Sequence, residues 1–447
     1  MADSRPNIVF FFTDQQRWDT CGCYGQRLPV TPNLDQMAAE GVRFANAFTC
    51  QPVCGPARAA LQTGRYPAVY GCHTNNRALP LDTTAIAHRL SAVGYEVGYI
   101  GKWHLASGPE ETVNYREAPV PPERRGGYRD YWLAADVLEF TSHPFEGHMF
   151  DAAGNRVEFR DQYRVDWQTD RVLDYLDTRE GRRPFFLFVS YIEPHHQNDM
   201  KRYVGPPGSD RRWARYEPPG DLAHAAGDWR ENYPDYLGAI NALDSGLGRV
   251  REKLAQMGMA DDTLVIFTSD HGSHFRTRNA EYKRSCHDGC LRIPLVVCGP
   301  GFRGGIVREE LASLIDVPPT VLEAGGADVP GDFHGRPLQE AVAGAPDWPD
   351  DVFAQLSESQ VGRCVRTRRW KYSVTRHPLA DGDLALPWSD TYVEDFLYDL
   401  EADPHEQHNL VLEPGYGEVR AELRSRLLHW IARTEGQHPE IVPAVGK

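Results

Sequence analysis

Phe185-Phe186-Leu187-Phe188-Val189-Ser190-Tyr191 is an almost unbroken apolar run of strand length, followed after Ile192 by Glu193-Pro194-His195-His196. A strand with one wet face alternates apolar and polar residues. A run apolar at nearly every position needs cover on both faces, as strands inside a parallel sheet do. Working outward, similar runs stand at 7–13, 95–100, 263–268 and 291–297. Helical patterns lie between them. One opens at Thr31-Pro32 with proline in the first turn, one runs from Thr83 to Val93 and stops at Gly94, and one runs from Tyr236 to Met257. This alternation predicts an α/β fold, a large and mostly parallel sheet flanked by helices. Reactive side chains in such folds gather beyond the carboxyl ends of the strands. Asp14, Lys102, His195 and Asp270 each follow one of these runs.

The chain has 447 residues, 41% hydrophobic and 25% charged, enough for a large core. Its net charge of −15 argues against a nucleic-acid partner, though a few local cations can still set the field of a cleft. No apolar run approaches the roughly 20 residues needed to span a bilayer, so no membrane partner is expected. The short apolar run at 8–12 lacks the features of a signal peptide, and a cytoplasmic protein is expected. The nine cysteines are odd in number and not spaced as a disulfide framework. Residues 107–164 and 198–232 lack clear periodicity and read as long loops. The second holds Arg211-Arg212-Trp213-Ala214-Arg215-Tyr216, either a solvated segment or a wall of the pocket or of a subunit contact. After Pro346 the pattern changes to short antiparallel strands and one amphipathic helix, Tyr416 to Thr434. The expected division is therefore a catalytic domain over 1–346 and a small C-terminal α+β subdomain over 347–447. The sequence leaves a homo-oligomer open.

The segment Cys54-Gly55-Pro56-Ala57-Arg58-Ala59-Ala60-Leu61-Gln62-Thr63-Gly64-Arg65 carries the most chemistry. If a helix starts here, Cys54 and Arg58 share a face and the helix-start amides offer an anion site. A cysteine with proline two on, arginine four on and then Leu-x-Thr-Gly resembles the signature of the type I sulfatases, members of the alkaline phosphatase superfamily. The resemblance extends over almost the whole chain, including Phe396 to Leu410 in the C-terminal part. It implies that Cys54 is oxidised to formylglycine by a formylglycine-generating enzyme. The hydrated aldehyde, bound to a divalent metal, then attacks the sulfur of a small sulfate ester, a carbohydrate sulfate or another organic sulfate.

The resemblance also implies the other roles. Asp14, Gln15, Asp270 and His271 match the metal-ligand positions, together with Cys54. Gln15 stands where a second aspartate is common and brings no charge. Oxygen-rich ligation favours Ca²⁺ and leaves Mn²⁺ or Mg²⁺ open. Arg58, Lys102 and Lys283 would neutralise sulfate oxygens. His104, in Gly101-Lys102-Trp103-His104, would take the proton that lets the sulfated intermediate collapse. His195 would protonate the leaving oxygen, with His196 its alternative or a substrate contact. Cys286, His287 and Cys290 have no clear fourth partner for zinc, so His287 and Asp288 read instead as pocket-lining and His287 as substrate-binding. The competing reading is a phosphonate monoester or phosphodiester hydrolase built on the same motif.

Overall fold

The computed structural model describes residues 5–179, 183–376, 378 and 383–444. Five parallel strands form the middle of the large sheet, side by side in the order Thr263–Ser269, Asn7–Thr13, Phe185–Ser190, Glu96–Lys102 and Tyr131–Ala135. Period-two alternation divides the first strand between two cores. Ile8, Phe10 and Phe12 enter one, and Val9 and Phe11 the other. Helices Arg164–Asp177 and Trp229–Gln256 contribute to the second core, and helices Ile86–Ala92 and Val317–Ala324 to the first. This two-sided cover is why the runs are apolar throughout.

Phe188 is fully buried where the central strands meet. Its ring lies 4.5 Å from Phe10 and 5.0 Å from Tyr99, centroid to centroid. Phe188→Ala should cost about 3–5 kcal/mol of stability, read as a lower denaturation midpoint.

Several boundaries differ from the sequence reading. The run at 291–297 is broken at Pro294 into Arg292–Ile293 and Leu295–Cys298, and the latter pairs antiparallel with Thr263–Ser269. The last long helix of the domain begins at Trp229 rather than Tyr236. Pro234 hides its start, while Trp229, Tyr233, Leu237 and Ile240 continue the buried face. The stretch 107–164 is no loop. Strands Tyr131–Ala135, Glu146–Asp151 and Arg156–Arg160 extend the sheet, but the outer ones are partly exposed and their patterns are broken. In 198–232, Trp213 is buried in an aromatic cluster with Tyr203, Trp229 and Tyr233. Strand Val42–Phe48 pairs in parallel with Ile306–Ser313 and, with Arg43 and Asn46 inside it, shows no continuous apolar run.

The smaller sheet consists of Asp351–Leu356, Gly362–Thr367, Trp370–Thr375 and Thr391–Asp399, all antiparallel, with Glu440–Val442 added in parallel. Helix Gly417–Glu435 packs Leu423, Leu427 and Ile431 against it.

Candidate active site

Cys54 is the first residue of helix Cys54–Thr63, every residue of which is buried. Pro56 falls in the first turn, where its missing N–H costs nothing. The helix stops at Gly64, whose φ of +68° is left-handed. The helix thus delivers Cys54 to the carboxyl end of the sheet.

Four strand ends and two loops converge on its sulfur. Cys54 Sγ lies 2.7 Å from Lys283 Nζ, 3.3 Å from Asp14 Oδ1 and 3.3 Å from His271 Nε2. Lys283 Nζ is also 3.1 Å from His195 Nε2. Arg58, one turn along the helix, reaches the other side of the same carboxylate, with Nη2 3.0 Å from Asp14 Oδ2. Its Nη1 donates to Ser190 Oγ at 2.6 Å. Lys102 Nζ donates to Asp14 Oδ2 at 2.8 Å. His104 has a left-handed φ of 60°, with its N–H donating to Asp136 O at 2.6 Å, and its side chain helps lower the Cys54 thiol pKa. The structure therefore brings together Asp14, Cys54, Arg58, Lys102, His104, His195, Asp270, His271 and Lys283.

Three expected residues stand apart from this group. Gln15 spends its side chain on the framework: Nε2 donates to Tyr203 Oη at 3.0 Å, and Oε1 accepts from His196 N–H at 3.3 Å. Its backbone N–H, rather than its side chain, serves the centre, donating to Asp270 Oδ1 at 2.9 Å. His196 stacks on Tyr282 at 4.1 Å between ring centroids. His287 turns toward the small sheet, with Nε2 3.1 Å from Tyr398 Oη. Asp288 beside it is ion-paired with Lys371 and Arg366 and so serves the junction of the two sheets. Glu139 joins the centre as well. Its Oε1 lies 3.1 Å from His195 Nδ1. It sits in the aperiodic stretch, so no pattern marked it.

The charges explain one another. Burial alone would push the Cys54 thiol up, but Lys102, Lys283 and His271 outweigh it and hold the thiol well below its ordinary range. Burial likewise opposes ionisation of Asp14, yet Lys102, His195 and Arg58 keep its carboxyl low. Asp270 goes the other way, raised to about 7 by burial and by the neighbouring Asp14 charge. Glu139, despite burial, is drawn down to about 2 by His195. His195 is raised to about 9, because Glu139 and Asp14 overcome burial and Lys283.

Asp14, Cys54, Asp270 and His271 each offer a ligand atom within 4.8 Å of the others, and all four are buried. Asp270 Oδ2 is buried without a hydrogen-bond partner. Two carboxylates, one of them short of a partner, beside an imidazole suit a hard divalent cation. Among the described residues, Cys286 and Cys290 belong to no such cluster.

The family model "Sulfatase" matches residues 6–327, and the model "N-sulphoglucosamine sulphohydrolase, C-terminal" matches 280–433. The chain belongs to the sulfatase family, and it is an enzyme, a sulfuric ester hydrolase. It is 28% identical to an ulvan-active sulfatase of Formosa agariphila over 95% of this chain and 80% of that one. It is 24% identical to an N-acetylglucosamine-6-O-sulfatase of Bacteroides thetaiotaomicron, over 95% of this chain and 86% of that one. The solved structure of the putative sulfatase yidJ from Bacteroides fragilis shares the fold, with a TM-score of 0.83 at 24% identity and 97% of both chains covered.

Proposed function

We propose that the chain hydrolyses sulfate monoesters of carbohydrates, using a formylglycine made from Cys54 and a divalent cation, with Ca²⁺ the first choice. The observation that carries this is that Lys283 Nζ at 2.7 Å, and Asp14 Oδ1 and His271 Nε2 each at 3.3 Å, all meet at the buried Cys54 Sγ. The carbohydrate part rests on the activities for which the two relatives are named. Cys54 is 1% exposed, which favours oxidation by a formylglycine-generating enzyme before the chain folds over it.

Oxidised Cys54 would supply a hydrated aldehyde as nucleophile. Asp14, Asp270, His271 and the side chain at position 54 would hold the cation, whose chemistry there is to stabilise negative charge growing on the sulfuryl oxygens. The chain's own residues do the rest. Lys283, the cation closest to Cys54 Sγ, binds the sulfate group and orients it. Lys102 and Arg58 fix the Asp14 carboxylate between them. His195, with Nδ1 on Glu139, presents Nε2 toward the centre and passes that proton to the leaving oxygen. His104 takes a proton from the side chain at position 54.

The test is turnover of 4-nitrophenyl sulfate and N-acetylglucosamine 6-sulfate beside a phenyl phosphonate ester. Sulfate release should dominate, and faster phosphonate cleavage would overturn the assignment. Chelation should remove activity, and readdition of Ca²⁺, Mn²⁺ or Mg²⁺ should raise the melting temperature by mass action.

The same site gives a pH signature. In metal-free protein Asp270 has a raised pKa, so the folded state binds its proton more tightly than the unfolded chain. Stability from this group is full below the ordinary carboxylate value and is lost as pH rises to about 7. Melting temperatures of chelated protein should therefore fall over that window, and a bound dication should abolish the fall.

A further inference from the structure

A cavity of about 500 Å³ borders the site and has no role in the chemistry above. That is the size of a small-ligand pocket. Asn75 and Ser107 form the wall nearest the reaction centre. Asn75 Oδ1 accepts from the N–H of Gly55, the residue after Cys54, at 2.9 Å. The approach is close: a Cβ on Gly55 would lie 3.1 Å from Asn75 Oδ1 and 3.6 Å from His104 O. Ser107 follows His104 by three residues, and its buried hydroxyl has no hydrogen-bond partner.

Arg77 and Arg116 also line this cavity. Neither has a carboxylate within ion-pair distance among the described residues. Glu111, the acid of the cavity wall, is already paired with Arg124 at 2.5 Å. Two guanidinium groups that line one cavity without a carboxylate partner favour an anion there, and guanidinium groups bind oxyanions in bidentate fashion. This occurs in a chain of net charge −15. The Arg116 guanidinium rests on the ring of Phe140, 5.6 Å from its centroid, and Phe140 is 52% exposed. Phe140 follows Glu139, which holds His195. The cavity therefore meets the centre through Asn75 and Ser107, and its Arg116 rests on Phe140, the residue after the Glu139 that pairs with His195.

We infer that this cavity is a subsite for the alcohol part of the substrate and that it selects a saccharide carrying a second anionic group. Arg77 and Arg116 take that group, a carboxylate or another sulfate. Ser107 Oγ and Asn75 meet sugar hydroxyls. This rests on the sulfatase reading and deepens it by naming the substrate class.

The experiment is calorimetric binding to the Cys54→Ser protein, which cannot turn the probes over. The probes are glucose 6-sulfate, glucosamine 2-N,6-O-disulfate, and a monosulfated disaccharide containing a uronate. At least one dianionic probe should bind roughly tenfold or more tightly than glucose 6-sulfate, as expected for an added charge-assisted contact. Which one does so identifies the second anion as sulfate or carboxylate. Adding Arg77→Gln or Arg116→Gln should collapse the ratio of the two affinities toward one. A ratio taken within one variant is insensitive to loss of folded protein. Equal affinity for all three probes, or a ratio indifferent to both arginine substitutions, overturns the inference. Wild-type turnover of 4-nitrophenyl sulfate is measured in parallel. If it is absent while the arginine-dependent preference persists, the hydrolytic reading fails and the subsite stands.

Discussion

Cys54→Ala should lower turnover of any sulfate ester by at least about 10³-fold, as loss of a nucleophile does elsewhere. Among the described residues, no other side chain stands where it could replace it. Lys283 Nζ and His271 Nε2 both lie against the sulfur and against each other, 3.2 Å apart, and Asp14 is a carboxylate already committed to Lys102 and Arg58. Cys54→Ser should be almost as inactive, because serine cannot become an aldehyde by the same oxidation. Both variants should keep the fold, since each substitutes a small side chain at the first residue of a helix. The check is kcat beside circular dichroism. Multiple turnovers by folded Cys54→Ala protein would remove the nucleophile from the account.

Asp14→Asn should fail in both activity and stability. Asp14 is fully buried, and its Oδ2 accepts from Lys102 at 2.8 Å and from Arg58 at 3.0 Å. Removing the charge takes the carboxylate from buried Lys102 and leaves Arg58 only the more distant Asp270 Oδ2 at 3.8 Å, and breaking a buried pair costs about 3–5 kcal/mol. The pH sense follows from the depressed pKa of Asp14. Its ion pairs add stability above the ordinary carboxylate value, and that stability is lost as pH falls through the folded-state value. The Asp14→Asn variant should therefore melt lower than wild type at neutral pH, with the gap narrowing in acid. An unchanged melting temperature at pH 7 would contradict the ion-pair geometry.

The strands and the chemistry at their ends were legible because both are local. An apolar run covered on two faces declares itself, and Asp14, Lys102, His195 and Asp270 follow such runs directly. Arg58 was legible because one helical turn sets its distance from Cys54. The fate of Gln15 was not, because its amide is claimed by Tyr203 and His196, 188 and 181 residues away in sequence. His287 lies close in sequence to Lys283, yet the small sheet attracts it through Tyr398, 111 residues further on. Glu139 meets His195 only because the end of strand Tyr131–Ala135 lies near the end of Phe185–Ser190, with Glu96–Lys102 between them. Such meetings depend on sheet order, which periodicity does not carry.

The mass of the peptide containing residue 54 tests the central claim most directly. Conversion of cysteine to formylglycine removes about 18 Da. In preparations converted to different extents, sulfate-ester turnover per molecule should rise in proportion to the lighter species and extrapolate to zero without it. Full turnover by a preparation in which Cys54 is entirely unconverted would contradict the account.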